Sequence, residues 1–285
     1  MAGTKRTMSR VVIMAFQGWN DAADASTTAI DFIADSFPTD LLSSSDTEEF
    51  FDYQISRPII ATNEDGVREI CWPAISVELS QLPRTTLMLI SGPEPNLRWR
   101  DFATWIDQMT TAFNPDLIVL LGAMLTDSPH SRPFTVAGTA PTYLAGKLEL
   151  EPNDYEGPTG IIGVLAVRYG TMCPNKLVTM WVSVPHYTAP SPNPKASLAL
   201  LEHLEVVLGV TLDLEEIRQD VAVWEQHIDQ LLDEDPDMAD YVETLENQND
   251  AETVPKGTGD KLAAAFEDYL LRRRAQDGPS DARSL

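Results

Sequence analysis

The sequence predicts an α/β protein built on a mixed, mostly parallel sheet in three α/β/α layers, with an all-helical C-terminal extension. Three observations predict it. Four short, continuous apolar runs recur between helical patterns, each ending at Gly or Pro. Such runs fit strands buried on both faces. Their alternation with helices implies right-handed βαβ units. Beyond Thr211 the strand signals stop and amphipathic stripes take over.

The first run, Val11-Val12-Ile13-Met14-Ala15-Phe16, precedes Gly18, and Asp21 can cap a following helix that carries Ala25, Ala29, Ile30, Ile33 and Phe37. The segment after it reads as antiparallel strands: residues 50–56, then 58–62, the turn Asn63-Glu64-Asp65-Gly66, and 67–72. The second buried run spans 85–91 before Gly92. Its helix, 97–113, aligns Phe102, Trp105, Ile106, Met109 and Phe113 and stops at Asn114-Pro115. The third run is 117–121, ending at Gly122, and a helix over 161–169 leads into the fourth, 177–184, before Pro185. A helix over 194–208 places Leu198, Leu201, Leu204 and Leu208 in register. The extension follows. Leu214, Ile217, Val221, Trp224, Ile228 and Leu231 recur at helical spacing. Pro236 opens a second helix, 247–259 reads as a linker, and 261–274 as a last helix whose Arg272, Arg273 and Arg274 suit its C-terminal dipole. The expected organisation is an α/β domain over 1–210, an acidic helical extension over 211–274 and a disordered tail over 275–285.

Charge narrows the partners. The net charge is −24, and residues 202–268 hold 20 acidic and 3 basic residues, a local balance of −17. Nucleic acid and anionic membranes need a basic footprint and are not expected as partners. The apolar run after Arg10 is too short for a signal peptide, and no run reaches the ~18 residues of a membrane span, so a cytoplasmic protein is expected. Cys71 and Cys173 lack metal-binding spacing, which predicts reduced thiols and no metal centre or cofactor.

In open α/β sheets, ligands bind outside the carboxyl ends of the parallel strands. Those exits carry Gly18, Trp19, Asn20 and Asp21, then Glu94, Asn96, Arg98 and Arg100, then His130, and finally His186. Asp21, Glu94 and His186 are the candidates for proton transfer. Gly18, Trp19, Asn20, Asn96, Arg98, Arg100 and His130 are the candidates for ligand binding, the arginines near a helix start where anions are favoured. Each also has a structural reading: glycines in tight turns, Asp21 as a cap, Arg98 or Arg100 paired with Glu94 or Asp101. No glycine-rich nucleotide fingerprint, phosphate loop or Gly-x-Ser-x-Gly elbow occurs.

The motifs Gly18-Trp19-Asn20-Asp21-Ala22, Gly92-Pro93-Glu94-Pro95-Asn96 with Arg98-Trp99-Arg100, residues 127–132, Tyr155-Glu156-Gly157-Pro158-Thr159-Gly160 and Val184-Pro185-His186-Tyr187 together resemble the actinobacterial branch of the proteasome assembly chaperone 2 family, over about 10–275. The resemblance implies a phosphorylase/hydrolase-like fold, homo-oligomers with a trimer as one form, and a non-catalytic factor that binds a protein partner. Some relatives dock through a C-terminal hydrophobic-Tyr-x tail. This chain ends Asp281-Ala282-Arg283-Ser284-Leu285, and docking by that route is not expected. The alternative is an enzyme or binding protein for a small anionic ligand, phosphorylated, carboxylated or nucleoside-like, held at the strand exits.

Overall fold

A computed structural model describes residues 9–45, 48–63, 65–153, 155–188 and 192–253. Its centre is a seven-stranded sheet in the order β2-β5-β6-β1-β7-β9-β8. The strands are β1 (Ser9–Gln17), β2 (Thr39–Ser45), β5 (Ile75–Gln81), β6 (Thr85–Pro93), β7 (Leu117–Thr126), β8 (Val136–Thr139) and β9 (Leu177–Pro185), while β3 (Ile59–Thr62) and β4 (Arg68–Cys71) form a separate two-stranded ribbon. β6, β1, β7 and β9 run parallel. β5 and β8 pair antiparallel to the two ends of this parallel block, and β2 antiparallel to β5.

The sequence dictates the layering through its period of two. Val11, Ile13 and Ala15 of β1 point into one apolar cluster, Val12, Met14 and Phe16 into another. On the first face lie α1 (Ala25–Ser36) and α5 (Pro194–Leu208), through Ile30, Ile33, Leu200 and Leu204. On the second lie α2 (Trp99–Phe113) and α4 (Ile161–Met172), through Phe102, Ile106, Ile162 and Leu165. A short α3 (Thr142–Leu148) follows β8 and adds Leu144 and Leu148 to the first cluster.

The acidic extension begins as a hairpin, α6 (Glu215–Glu234) and α7 (Pro236–Thr253). Leu212, Leu214 and Ile217 join the same cluster as α5. Further along, Trp224, Ile228, Val242 and Leu245 are buried, and polar contacts join them: Lys195 Nζ to Glu225 Oε1 at 2.6 Å, His130 Nε2 to Asp229 Oδ1 at 3.0 Å, and Arg132 to both carboxylate oxygens of Asp250 at 2.8 and 2.9 Å.

Several expectations need correction. Residues 50–56 form no strand: Phe50 ends a short 3-10 turn (Glu48–Phe50) and 51–56 are a loop that Asn96 draws in. β2, β5, β8 and α3 were not foreseen. Gly122 does not end its strand. β7 continues to Thr126, and Gly122 lies opposite Trp181 in the ladder, where a Cβ would sit 2.4 Å from the indole. α7 continues to Thr253 through the stretch read as linker. The last helix, 261–274, and the tail, 275–285, lie outside the described residues.

Candidate functional site

The order of strands places a topological switch at β1, with β6 on one side and β7 on the other. Beyond its end the chain turns at Gly18, whose φ of +106° suits glycine. Its carbonyl accepts from Asp21 N at 3.0 Å, and the Asn20 carbonyl accepts from Ala123 N at 2.8 Å. This leaves Trp19 exposed and buries Asn20 and Asp21.

Glu94, at the end of β6, reaches across this turn. Its backbone N–H donates to Gln17 O at 3.1 Å. Its carboxylate accepts the N–H of Ile161, the first residue of α4, at 2.6 Å, and that of Trp19. Burial pushes the carboxyl above the ordinary carboxylate range, and these two hydrogen bonds offset only part of the rise. Asn20 Oδ1 is buried beside it with no partner among the described residues. Both oxygens occupy the space a side chain at 160 would need: a Cβ on Gly160 would lie 2.2 Å from Asn20 Oδ1 and 2.4 Å from Glu94 Oε1. Gly18, Asn20, Glu94 and Gly160 thus pack into one cluster that brings two acceptor oxygens together.

The other predicted residues are placed elsewhere. Asp21 is a buried cap. Its Oδ1 accepts from Ser26 N at 2.7 Å and Ser26 Oγ at 2.6 Å, and Thr27 Oγ1 donates to Oδ2. Burial raises its pKa as well. Asn96 Oδ1 accepts from Asp52 N at 3.0 Å and Ser56 Oγ at 2.9 Å. Arg98 takes left-handed backbone (φ +52°) before α2, and its half-exposed guanidinium pairs with Glu49 and with Asp101 at 2.9 Å. It does not pair with Glu94. Arg100 is exposed in the first turn of α2.

The histidines form a second group. His130 is 2% exposed; its ring lies between Tyr187 Oη, 2.8 Å from Nδ1, and Asp229. His186 is half-exposed, with Nδ1 3.1 Å from Asp127 Oδ1 and its ring edge-on to Tyr187 and Tyr241. β6 and β9 are three strand spacings apart, about 14 Å. The exits therefore split into the Glu94 cluster, the Arg98 pairs and the histidine group at the helical extension. The contribution of Ile161 went unread, because its only signal was the polar turn ending at Gly160.

Among the described residues, no group of three or more His, Cys, Asp or Glu side chains is placed to hold a metal, and no helix is long and apolar enough to cross a membrane. Both cysteines are free thiols.

The class is a three-layer α/β protein with a mostly parallel sheet and a packed cluster of Gly18, Asn20, Glu94 and Gly160 at its switch point. The PAC2 family model matches residues 15–232, and the chain belongs to that family. A PAC2 family protein from Streptomyces avermitilis is 37% identical, with a TM-score of 0.74 over 82% of this chain and 100% of that one. A Mycobacterium tuberculosis proteasome-assembly chaperone homologue is 39% identical, with a TM-score of 0.72 over 81% of this chain and 99% of that one. An archaeal homologue of proteasome-assembly chaperone from Pyrococcus furiosus, at 17% identity and a TM-score of 0.53 over 86% and 96%, shares the fold. No match is found among the curated proteins.

Proposed function

We propose that this protein is a non-catalytic assembly factor that binds other proteins and acts as a homo-oligomer. The observation that carries the reading is the likeness to the Mycobacterium tuberculosis proteasome-assembly chaperone homologue across 99% of that chain. The surface supports it. Ile59, Ile60, Ile70 and Trp72, on and beside the β3–β4 ribbon, are each more than half exposed. A two-stranded ribbon is marginal in water by itself, and Ile60 and Ile70, opposite each other in its register, present an exposed apolar pair suited to a contact surface. The acidic helices would steer a basic partner toward the protein.

The test mixes the purified protein with unassembled proteasome α- and β-subunits of the same cells and follows ring formation on native gels. The expected result is a complex with free subunits that is absent from finished rings, weakened by Ile60→Ser with Ile70→Ser. Neither a complex nor a change in assembly rate would overturn the reading. Sedimentation of the protein alone tests the homo-oligomer.

A second reading, a small-ligand site at the strand exits, is favoured by the unpartnered Asn20 Oδ1 beside Glu94. Two acceptors suit a donor such as an amide or amine group better than the phosphate or carboxylate expected from Arg98 and Arg100, and Arg98 is already paired with carboxylates. Thermal shift against primary amides and, separately, phosphate and nucleotides distinguishes the two chemistries. A response to neither removes this reading.

A further inference from the structure

The helices around the sheet differ sharply in charge. α1 and α5 carry four carboxylates and one lysine, and α6 and α7 carry thirteen carboxylates and one arginine. α2 and α4, side by side on the other face, carry Arg100, Asp101, Asp107 and Arg168, a net charge of zero. Arg100 and Asp101 sit together in the first turn of α2, and Arg168 Nε donates to Asp107 Oδ2 at 2.8 Å. The rest of this layer's exposed surface, Thr104, Gln108 and Thr111 on α2 among it, is uncharged.

α4 is the neutral extreme. Among the described helices of eight or more residues, it alone contains no Asp or Glu. Val167, at the centre of its outer face, is 74% exposed, more than any other large apolar side chain described. Gly163, Val164, Gly170 and Thr171 lie within about 60° of it around the helix, and none is charged. A helix apolar all round belongs in an interior. Gly170 points the same way. It is exposed, and a Cβ there would meet nothing closer than Leu177 Cδ2 at 3.8 Å, an ordinary contact. Glycine inside a helix is less favourable than alanine, so the fold of one chain gives no reason for it.

Charge decides what covers this face. Two copies of a chain of net charge −24 repel each other, least where neutral surfaces meet. We propose that a second copy of this chain pairs on the α2–α4 layer, α4 against α4 about a two-fold axis near Val167, with Gly170 admitting close approach. The pairing rests on the homo-oligomer in the function proposed above, supplies its surface, and uses no residue of the β3–β4 ribbon. The two helices cover about 20 Å by 20 Å, the small end for a specific interface, so the pair is weak and concentration-dependent.

Sedimentation equilibrium of the full-length protein over a range of concentrations is expected to show monomer and dimer, with pairing tightened by added salt, which screens the repulsion. Val167→Glu, at a site exposed in the monomer, sets two carboxylates against each other and should weaken pairing by at least about tenfold. Val223→Glu makes the same change at an exposed valine of α6 and should leave pairing unaltered. Gly170→Ala should raise the urea midpoint of the chain yet weaken pairing, opposite signs that a misfolded variant does not give. An oligomer that Val167→Glu leaves intact, or that Val223→Glu disrupts equally, overturns this proposal and leaves the homo-oligomer reading standing. A protein that stays monomeric at every concentration overturns both.

Discussion

The Ile161 N–H donates to the Glu94 carboxylate at 2.6 Å, tying the end of β6 to the first turn of α4 across 67 positions of sequence. The carboxylate lies at a helix N-terminus, where negative charge is favoured, yet burial outweighs that and holds its pKa above the ordinary range.

This fixes the sign of a pH effect. A carboxyl whose pKa is raised by folding contributes stability that is complete below its unfolded value, about 4.3 for Glu, and lost as pH rises through the folded value. Burial raises Asp21 and Asp31 in the same direction. Asp250, lowered by Arg132, opposes them but is fully exposed. The urea midpoint is therefore expected to fall as pH rises from the unfolded value of about 4.3 through the raised folded values. Glu94→Gln should flatten that slope, since the amide does not titrate while its oxygen can still accept from Ile161. A midpoint that rises over this interval in the natural protein would contradict the assignment.

Gly122 and Trp181 supply a prediction about packing. Gly122→Ala places a methyl in contact with the indole inside the sheet, and overpacking of this kind costs about 1–3 kcal/mol. Trp181→Leu alone leaves a cavity, at a cost of similar size. The double variant should lose less than the sum of the two, by at least about 0.5 kcal/mol, because the added methyl occupies space the indole vacates. Strict additivity in a double-mutant cycle would show that the contact is not what keeps position 122 small.

Asp21 is expected to matter for stability before anything else. Asp21→Ala strands the donors of Ser26 and Thr27 in a buried setting, at a cost of about 2–3 kcal/mol. Ser26→Ala combined with it should recover part of the loss, since one stranded hydroxyl disappears with it. Denaturation of the two single variants and the double variant reads this directly.

The four parallel strands were legible because each is buried on both faces and so reads as an unbroken apolar run. β2 was not. Thr39, Asp40 and Ser43 to Ser45 have no such pattern, and this edge strand exists through its pairing with β5. β8 is four residues long at the opposite edge and depends on β9 in the same way. The glycine at 122 was visible, but its reason lies 59 positions on, in Trp181. The Glu94 cluster shows the same limit. Gly18, Asn20 and Glu94 were singled out as residues that follow strands, whereas Gly160 and Ile161 precede a helix and join them only through tertiary packing. Arg98 was read toward a ligand because the loop carrying Glu49, distant in sequence, could not be placed beside it.

The attachment of α7 gives the last prediction. Its described buried apolar side chains are Val242 and Leu245, so much of its seating rests on polar contacts to the loop after β7. Tyr241 Oη donates to Asp127 Oδ1 at 3.2 Å, Ser131 Oγ to Glu246, and Arg132 grips Asp250 through two parallel bonds. Arg132→Ala should accelerate amide hydrogen exchange throughout α7 while leaving β1, β6 and β7 unchanged, with little shift in the global midpoint because the pair is at the surface. High salt should act on the natural protein in the same direction. Arg132→Lys should restore protection only in part, since lysine keeps the charge without the planar fork that matches a carboxylate. Unaltered exchange in α7 after Arg132→Ala would mean that Val242 and Leu245, with the contacts of Tyr241 and Glu246, hold the helix without the Arg132 pair.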